Sequence, residues 1–198
     1  CLNESFITCV KHKSRVEVKP LVQEIYTTTG RVSLEARRRG HTAGKDKSLE
    51  TGCDFFRKAD RNATLLEVRE QKPWLLVLAF PCSPYSPLQN LRRTRQTAER
   101  QARHEILVNF AVQLAYEQMS HGRHFVIENP DPSLAWKICS RLKKLMADSR
   151  VKTARFDQCR FGLKSAAGGL HRKRTRVLTS SLRIWQQLNE KMCKRDHE

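Results

Sequence analysis

Trp74-Leu-Leu-Val-Leu-Ala-Phe80 carries no charge, and apolar residues follow one another without alternation. A strand with one wet face alternates apolar and polar side chains, whereas a strand covered on both faces reads as a continuous apolar run. Phe125-Val-Ile127 repeats that signature further along. Between the two lies a long helical pattern, Arg93 to Met119, with Ile106, Leu107, Phe110, Ala111 and Leu114 on one stripe. Buried strand, helix, buried strand requires a crossover connection, so the chain is predicted to build an α/β fold. The expected form is a Rossmann-like, mainly parallel sheet with helices on both faces and Trp74 to Phe80 near its middle.

The flanking segments extend the alternation. Leu21-Val-Gln-Glu-Ile-Tyr26 reads as a strand that ends in the turn Thr27-Thr-Thr-Gly30. Ser33 is positioned to cap a short helix from Leu34 to Arg39, closed by Gly40, and His41 to Ser48 is a short extended piece. A helix is expected around Ala59 to Gln71, and another after Ser133 carrying Leu134, Ile138, Leu142 and Leu145. Glu128-Asn-Pro130 is expected to stop the strand before it. Val151 to Phe156 and Arg176 to Thr179 are the last strand candidates, and Leu182, Trp185, Leu188 and Met192 stripe a terminal helix. The organisation expected is a basic arm or edge element over 1–20, an α/β domain over 21–180 and a C-terminal helix over 181–198.

Of the 198 residues, 39% are hydrophobic, enough for a packed core and against full disorder. No apolar run approaches the ~20 residues of a membrane span, so no membrane association is expected. Lys and Arg number 38 against 20 Asp and Glu, a formal charge of +18. Such an excess points to a polyanionic partner, although a solvated basic surface would carry it equally. The seven cysteines are widely spaced with no CxxC, so neither a disulfide framework nor a zinc ribbon is indicated. His121 with His124, and Cys193 with His197, are each half a metal site at most, and no metal is expected. A reducing, intracellular compartment fits this cysteine usage, the nucleus ahead of the cytoplasm. The chain opens on Cys1 rather than Met, which reads as a fragment of a longer product.

In sheets of this kind the chemistry gathers at the carboxyl ends of the strands. Cys82, in the proline-bounded turn Pro81-Cys-Ser-Pro84, is a candidate nucleophile there. Glu128 follows the next buried strand and is a candidate to hydrogen-bond a ring nitrogen, with burial raising its pKa. Arg172-Lys-Arg-Thr-Arg176 is either a phosphate clamp or a solvated basic loop.

The order of these segments resembles the cytosine-5 DNA methyltransferases. Phe80-Pro-Cys-Ser-Pro-Tyr-Ser86 is similar to their Pro-Pro-Cys-Gln-x-Phe-Ser loop, and Phe125-Val-Ile-Glu-Asn-Pro130 to their strand ending Glu-Asn-Val. Phe161-Gly-Leu163 with Arg172, Arg174 and Arg176 is similar to their Gly-Val-Pro-Gln-x-Arg-x-Arg segment. Glu24-Ile-Tyr-Thr-Thr-Thr-Gly30 falls where their glycine-rich cofactor loop stands. A second resemblance is to methyltransferase-like domains of retroelement-type polyproteins, through Glu24-Ile-Tyr26, Ala43 to Phe55, and Asp157-Gln-Cys-Arg-Phe-Gly-Leu163.

The resemblance implies a methyltransferase-like fold using S-adenosylmethionine. Tyr26, Thr27, Gly30 and Pro81 would line the cofactor, with Asp54 on its adenine side and Asp46 on the ribose hydroxyls. Cys82 would attack a flipped-out cytosine, Glu128 would support the ring nitrogen, and Arg174 and Arg176 would hold the site. Arg172, Lys173, Arg174 and Arg176 would contact nucleic acid, DNA ahead of RNA. Where the family loop has three glycines this chain has only Gly30, Pro130 replaces valine, and little chain follows Arg176 to form a recognition region. A domain that keeps the fold and has lost the reaction, serving as a basic nucleic-acid-binding module, is therefore the alternative.

Overall fold

The computed structural model describes residues 19–88, 91 and 94–194. A single five-stranded sheet runs through them in the order β1-β2-β3-β5-β4. The strands are β1 (Val22–Ile25), β2 (Leu75–Leu78), β3 (His124–Pro130), β4 (Lys152–Asp157) and β5 (Arg174–Thr179). β1, β2 and β3 pair in parallel, and β5 lies antiparallel between β3 and β4. Four strands thus point one way, and the fold is the expected Rossmann-like α/β arrangement. The reversed β5 is the departure from an all-parallel sheet. β3 rather than β2 occupies the centre, which moves Trp74 to Phe80 one place off the middle.

Register sorts the side chains onto two faces, because strand partners share a face. Ile25, Leu78 and Ile127 lie level with one another, as do Leu76 and Phe125. All five are buried in the main core. That face is covered by α3 (Arg95–Ser120), with α2 (Lys58–Gln71), α4 (Ala135–Ile138) and α5 (Ser140–Ala147) contributing Val68, Ala135, Leu142 and Leu145. The other face carries Glu24, Val126, Glu128, Val177, Ala154 and Phe156. It receives α1 (Arg31–Arg38) beside β1, and α6 (Leu182–Leu188) through Trp185 and Leu188 over β4 and β5.

Several local expectations are corrected. Gly30, not Ser33, is the residue before α1, and Ser33 sits inside its first turn. β3 does not stop at Ile127, because β5 supplies partners for Glu128, Asn129 and Pro130. The helix expected after Ser133 is two helices, broken at Cys139, whose ψ of 110° is extended. On α3 the stripe holds except at Ile106, which is 41% exposed. The last helix ends at Leu188, short of Met192. The expected basic arm falls mostly on residues 1–18, outside the described residues. His41 to Ser48 does run alongside β1, through parallel bridges Val22 to Ala43 and Ile25 to Lys47.

Four hydrogen bonds from three buried side chains fix the strand ends. Gln118 at the end of α3 donates to Pro73 O at 3.0 Å and His124 O at 2.8 Å, tying together the entries of β2 and β3. At the exits, Asn129 Nδ2 donates to Phe80 O at 2.9 Å. Trp136 Nε1 donates to Pro130 O at 2.9 Å.

Candidate functional site

After β1 the chain turns to one side, to pair residues 43–47 against it, and later returns to place β2 on its other side. The carboxyl ends of β1 and β2 therefore form the topological switch point where open α/β sheets bind ligands. A cavity of about 210 Å³ lies there, lined by Tyr26, Ser48, Glu50, Asp54, Phe55 and Pro81 among others. Its walls are mainly apolar and its rim carries two carboxylates. The size suits a nucleobase and falls below the ~300 Å³ at which whole small-molecule sites begin.

Tyr26 closes one side. It holds a left-handed φ of 69° despite its bulk. That conformation costs on the order of 1–3 kcal/mol and collects at functional sites. Its hydroxyl donates to Leu107 O at 2.8 Å, and its ring meets Phe55 edge-on at 4.8 Å. Burial pushes the phenol well above its ordinary pKa, with the Arg61 charge opposing, so it stays a neutral donor. Asp54 is partly committed, since its Oδ1 accepts from Phe56 N–H at 3.0 Å and Arg57 lies 3.6 Å from Oδ2.

The loop after Tyr26 is held by the chain itself. Thr27 Oγ1 accepts from Gly30 N–H at 2.9 Å. Ser33 N–H donates to Glu24 Oε2, and the Ser33 hydroxyl to Asp46 Oδ1, both at 2.6 Å. Gly30 has φ 55°, and a Cβ there would lie 2.1 Å from Asp46 Oδ2. Two carboxylates of this protein thus occupy the amino end of α1, where an anionic ligand group would otherwise be favoured. Asp46 braces that loop and does not line the cavity. The cavity's own acidic groups are Glu50 and Asp54. Nothing in the sequence singles out Ser48 or Glu50 for this wall; for Phe55, 4% exposed, the one signal is its place beside Asp54.

Pro81 lines the cavity and Cys82 follows it, exposed, with its carbonyl accepting from Tyr85 N–H at 3.0 Å. Glu128 is half-buried on β3. Leu78 and Ile127 are register partners, so the chain just past β2 runs beside Glu128, and Cys82 stands at the same end of the sheet. Glu128 Oε1 is enclosed with no hydrogen-bond partner among the described residues. Burial raises the Glu128 pKa, and the Lys173 charge only partly offsets this.

That shift has a testable sign. A carboxyl raised in the folded state stabilises the fold below its ordinary pKa near 4.3 and loses that contribution as pH rises through the folded value. Glu128→Gln is therefore expected to match the parent protein near pH 4 and to exceed it at pH 8. An effect on the order of 1 kcal/mol corresponds to about 2–4 °C in Tm. Thermal melts at the two pH values check it; equal melts at pH 8 would show that Glu128 carries no burial penalty.

The arginines are internally engaged. Arg172 and Arg174 reach the fully buried Asp157 at 3.6 and 3.2 Å, and Asp157 also accepts from Cys193 N–H at 2.9 Å. Burial works against the charged Asp157, yet the Arg174 hydrogen bond, the Cys193 amide and the two guanidinium charges outweigh it and hold the pKa below the usual range. Arg176 binds Asp131 at 2.7 Å and stacks over Trp136 at 5.3 Å, and Arg155 shares Asp131 at 3.1 Å. Lys173 is exposed between them.

Among the described residues no cluster of His, Cys, Asp and Glu suits a metal, and no helix is long and apolar enough to cross a membrane. No family model and no curated protein matches the chain. Among solved structures, the chain is similar to the Dnmt2 methyltransferase of S. pombe, with a TM-score of 0.45 and 11% identity. The similarity covers 81% of this chain and 49% of that one, so the chain spans about half the length of that protein.

Proposed function

We propose that this chain is a cytosine-5 methyltransferase-like domain of S-adenosylmethionine-dependent type, acting on nucleic acid, DNA ahead of RNA. The observation that carries the reading is the switch-point cavity beside Tyr26, Asp54 and Pro81, with Cys82 and Glu128 at the same strand ends. The cavity suits the flat base of an adenosine, with the Glu50 and Asp54 carboxylates available to its polar edge or ribose. When bound, S-adenosylmethionine supplies an electrophilic methyl group. Cys82 offers an exposed thiol at the mouth, for attack on a pyrimidine ring. Glu128, kept protonated more readily by burial, offers a proton to the ring nitrogen. Arg174 and Arg176, held by Asp157 and Asp131, stand on β5 beside β3 with their side chains on the sheet face opposite Glu128, so they reach this site only around the strand ends.

A second reading, a non-catalytic nucleic-acid-binding module descended from such an enzyme, is favoured by one observation. Asp46 fills the space against Gly30, and Glu24 takes the Ser33 amide, so the α1 end does not fit the carboxylate tail of the cofactor. Calorimetric titration with S-adenosylmethionine separates the two. Cys53 also lines the cavity, and binding that disappears in a cavity-filling Cys53→Trp variant supports the enzyme-like reading. No heat at millimolar cofactor, with folded protein, leaves the binding module. Covalent trapping by a fluorinated cytosine through Cys82, absent in Cys82→Ala, would extend the first reading to catalysis.

A further inference from the structure

On the Glu128 face, a second concavity of about 530 Å³ lies between the start of α1 and the turn that follows β4. Arg31, Phe156, Phe161, Lys164 and Leu188 line it, with Gln158. Phe161 is 53% exposed, an unusual place for a phenyl ring. It is not loosely held. Its ring packs edge-on against Phe156 at 5.4 Å, and Phe156 is itself 8% exposed. Gln158 is pinned by donating to Thr175 Oγ1 at 2.9 Å. The chain beyond Phe161 forms a small hairpin, with Ser165 N–H on Gly169 O and His171 N–H on Leu163 O, both at 2.8 Å. Lys164 stands on that hairpin as one wall of the groove.

The charges around this ring differ from the arginine cluster beside it. Arg172, Arg174, Arg155 and Arg176 are each paired with Asp157 or Asp131. Arg31, Arg160 and Lys164 have no carboxylate partner among the described residues, and no acidic residue among them lines the groove. A fixed, open aromatic face with unpaired cations on either side is the arrangement that stacks a base and holds its phosphate. A duplex keeps its bases stacked on one another, so the ring selects an unpaired base.

Strand register places this groove relative to Glu128. Pro130, Thr175 and Phe156 lie level across β3, β5 and β4, on the face that carries Glu128 one pleat back. Two strand spacings put Phe156 about 10 Å from the β3 axis. That is a short step along a single strand.

We infer that the Phe161 groove, with Arg31 and Lys164, is a single-strand nucleic-acid site in which Phe161 stacks an unpaired base. It rests on the nucleic-acid part of the reading above and is independent of cofactor binding. The test is fluorescence anisotropy of the full chain with labelled oligothymidylate and oligouridylate of about ten nucleotides. Phe161→Ala is expected to weaken binding about ten-fold or more, and Phe161→Trp to retain it. Arg31→Ala and Lys164→Ala should each lower the salt slope by about 0.7. Loss with both oligomers assigns the site to base and phosphate alone; loss with one assigns it to that nucleic acid. Phe161→Leu, which keeps apolar packing on Phe156 without a stacking face, is expected to bind like Phe161→Ala while melting like the parent. Unchanged affinity of Phe161→Ala for both oligomers, or equal affinity for a duplex, overturns the inference while leaving nucleic-acid binding intact. No binding of any nucleic acid would sink the partner itself, and a cofactor titration reports neither result.

Discussion

Gly30→Ala is expected to destabilise the protein by about 2.5–5 kcal/mol in urea unfolding. Two costs combine. The residue holds φ 55°, where a Cβ costs about 1–2 kcal/mol, and that Cβ would meet Asp46 Oδ2 at 2.1 Å. Asp46 is a side chain and can move, but only by giving up the Ser33 hydroxyl, a hydrogen bond to a charged group of about 1.5–3 kcal/mol. Gly52→Ala separates the two costs. Gly52 has φ 84° with open space where a Cβ would stand, so only the conformational part is expected. Equal losses in the two variants would show that the Gly30–Asp46 approach contributes nothing.

Phe125→Ala is expected to cost about 3–5 kcal/mol, and at 37 °C to populate unfolded protein visibly. Phe125 is 0% exposed and sits on the central strand, level with Leu76. Neighbours on the sheet and α3 enclose it, and a close-packed core collapses only partly around such a loss. Trp74→Ala makes the contrast. Trp74 is 45% exposed, touching His124 edge-on at 4.8 Å, and its removal should cost less than half as much. Comparable losses from the two would contradict the placement of the core under α3.

What can be read in advance follows physical lines. β2, β3 and α3 are legible because burial on two faces leaves an apolar run and burial on one leaves a stripe. The direction of β5 is not, since Arg174 to Thr179 gives the same pattern whichever way it runs. The break at Cys139 is hidden because neither glycine nor proline marks it. The candidate site divides similarly. Cys82, Glu128, Tyr26 and Pro81 can be placed from their positions after apolar strands. The role of Asp46 cannot, because its partners Gly30 and Ser33 are remote in sequence and reached only through the fold. Nor does a run of basic residues disclose which members are already neutralised. Asp131 and Asp157 do that for four arginines here, and leave Arg31 and Lys164 without a carboxylate among the described residues.

The slot between β3 and β4 is filled by residues 174–179, which are made after both of its walls. During synthesis β1, β2 and β3 can assemble with α3 as soon as they emerge, but β4 has nothing to join. Until Arg174 to Thr179 arrive, the hydrogen-bonding groups along one side of β3 are bare, with Phe125 and Ile127 on the same strand. Such an edge is a template for wrong partners. Sheet closure is therefore a late, long-range event, and a translation product ending before Arg174 would be a substrate for chaperones rather than a smaller version of the same domain.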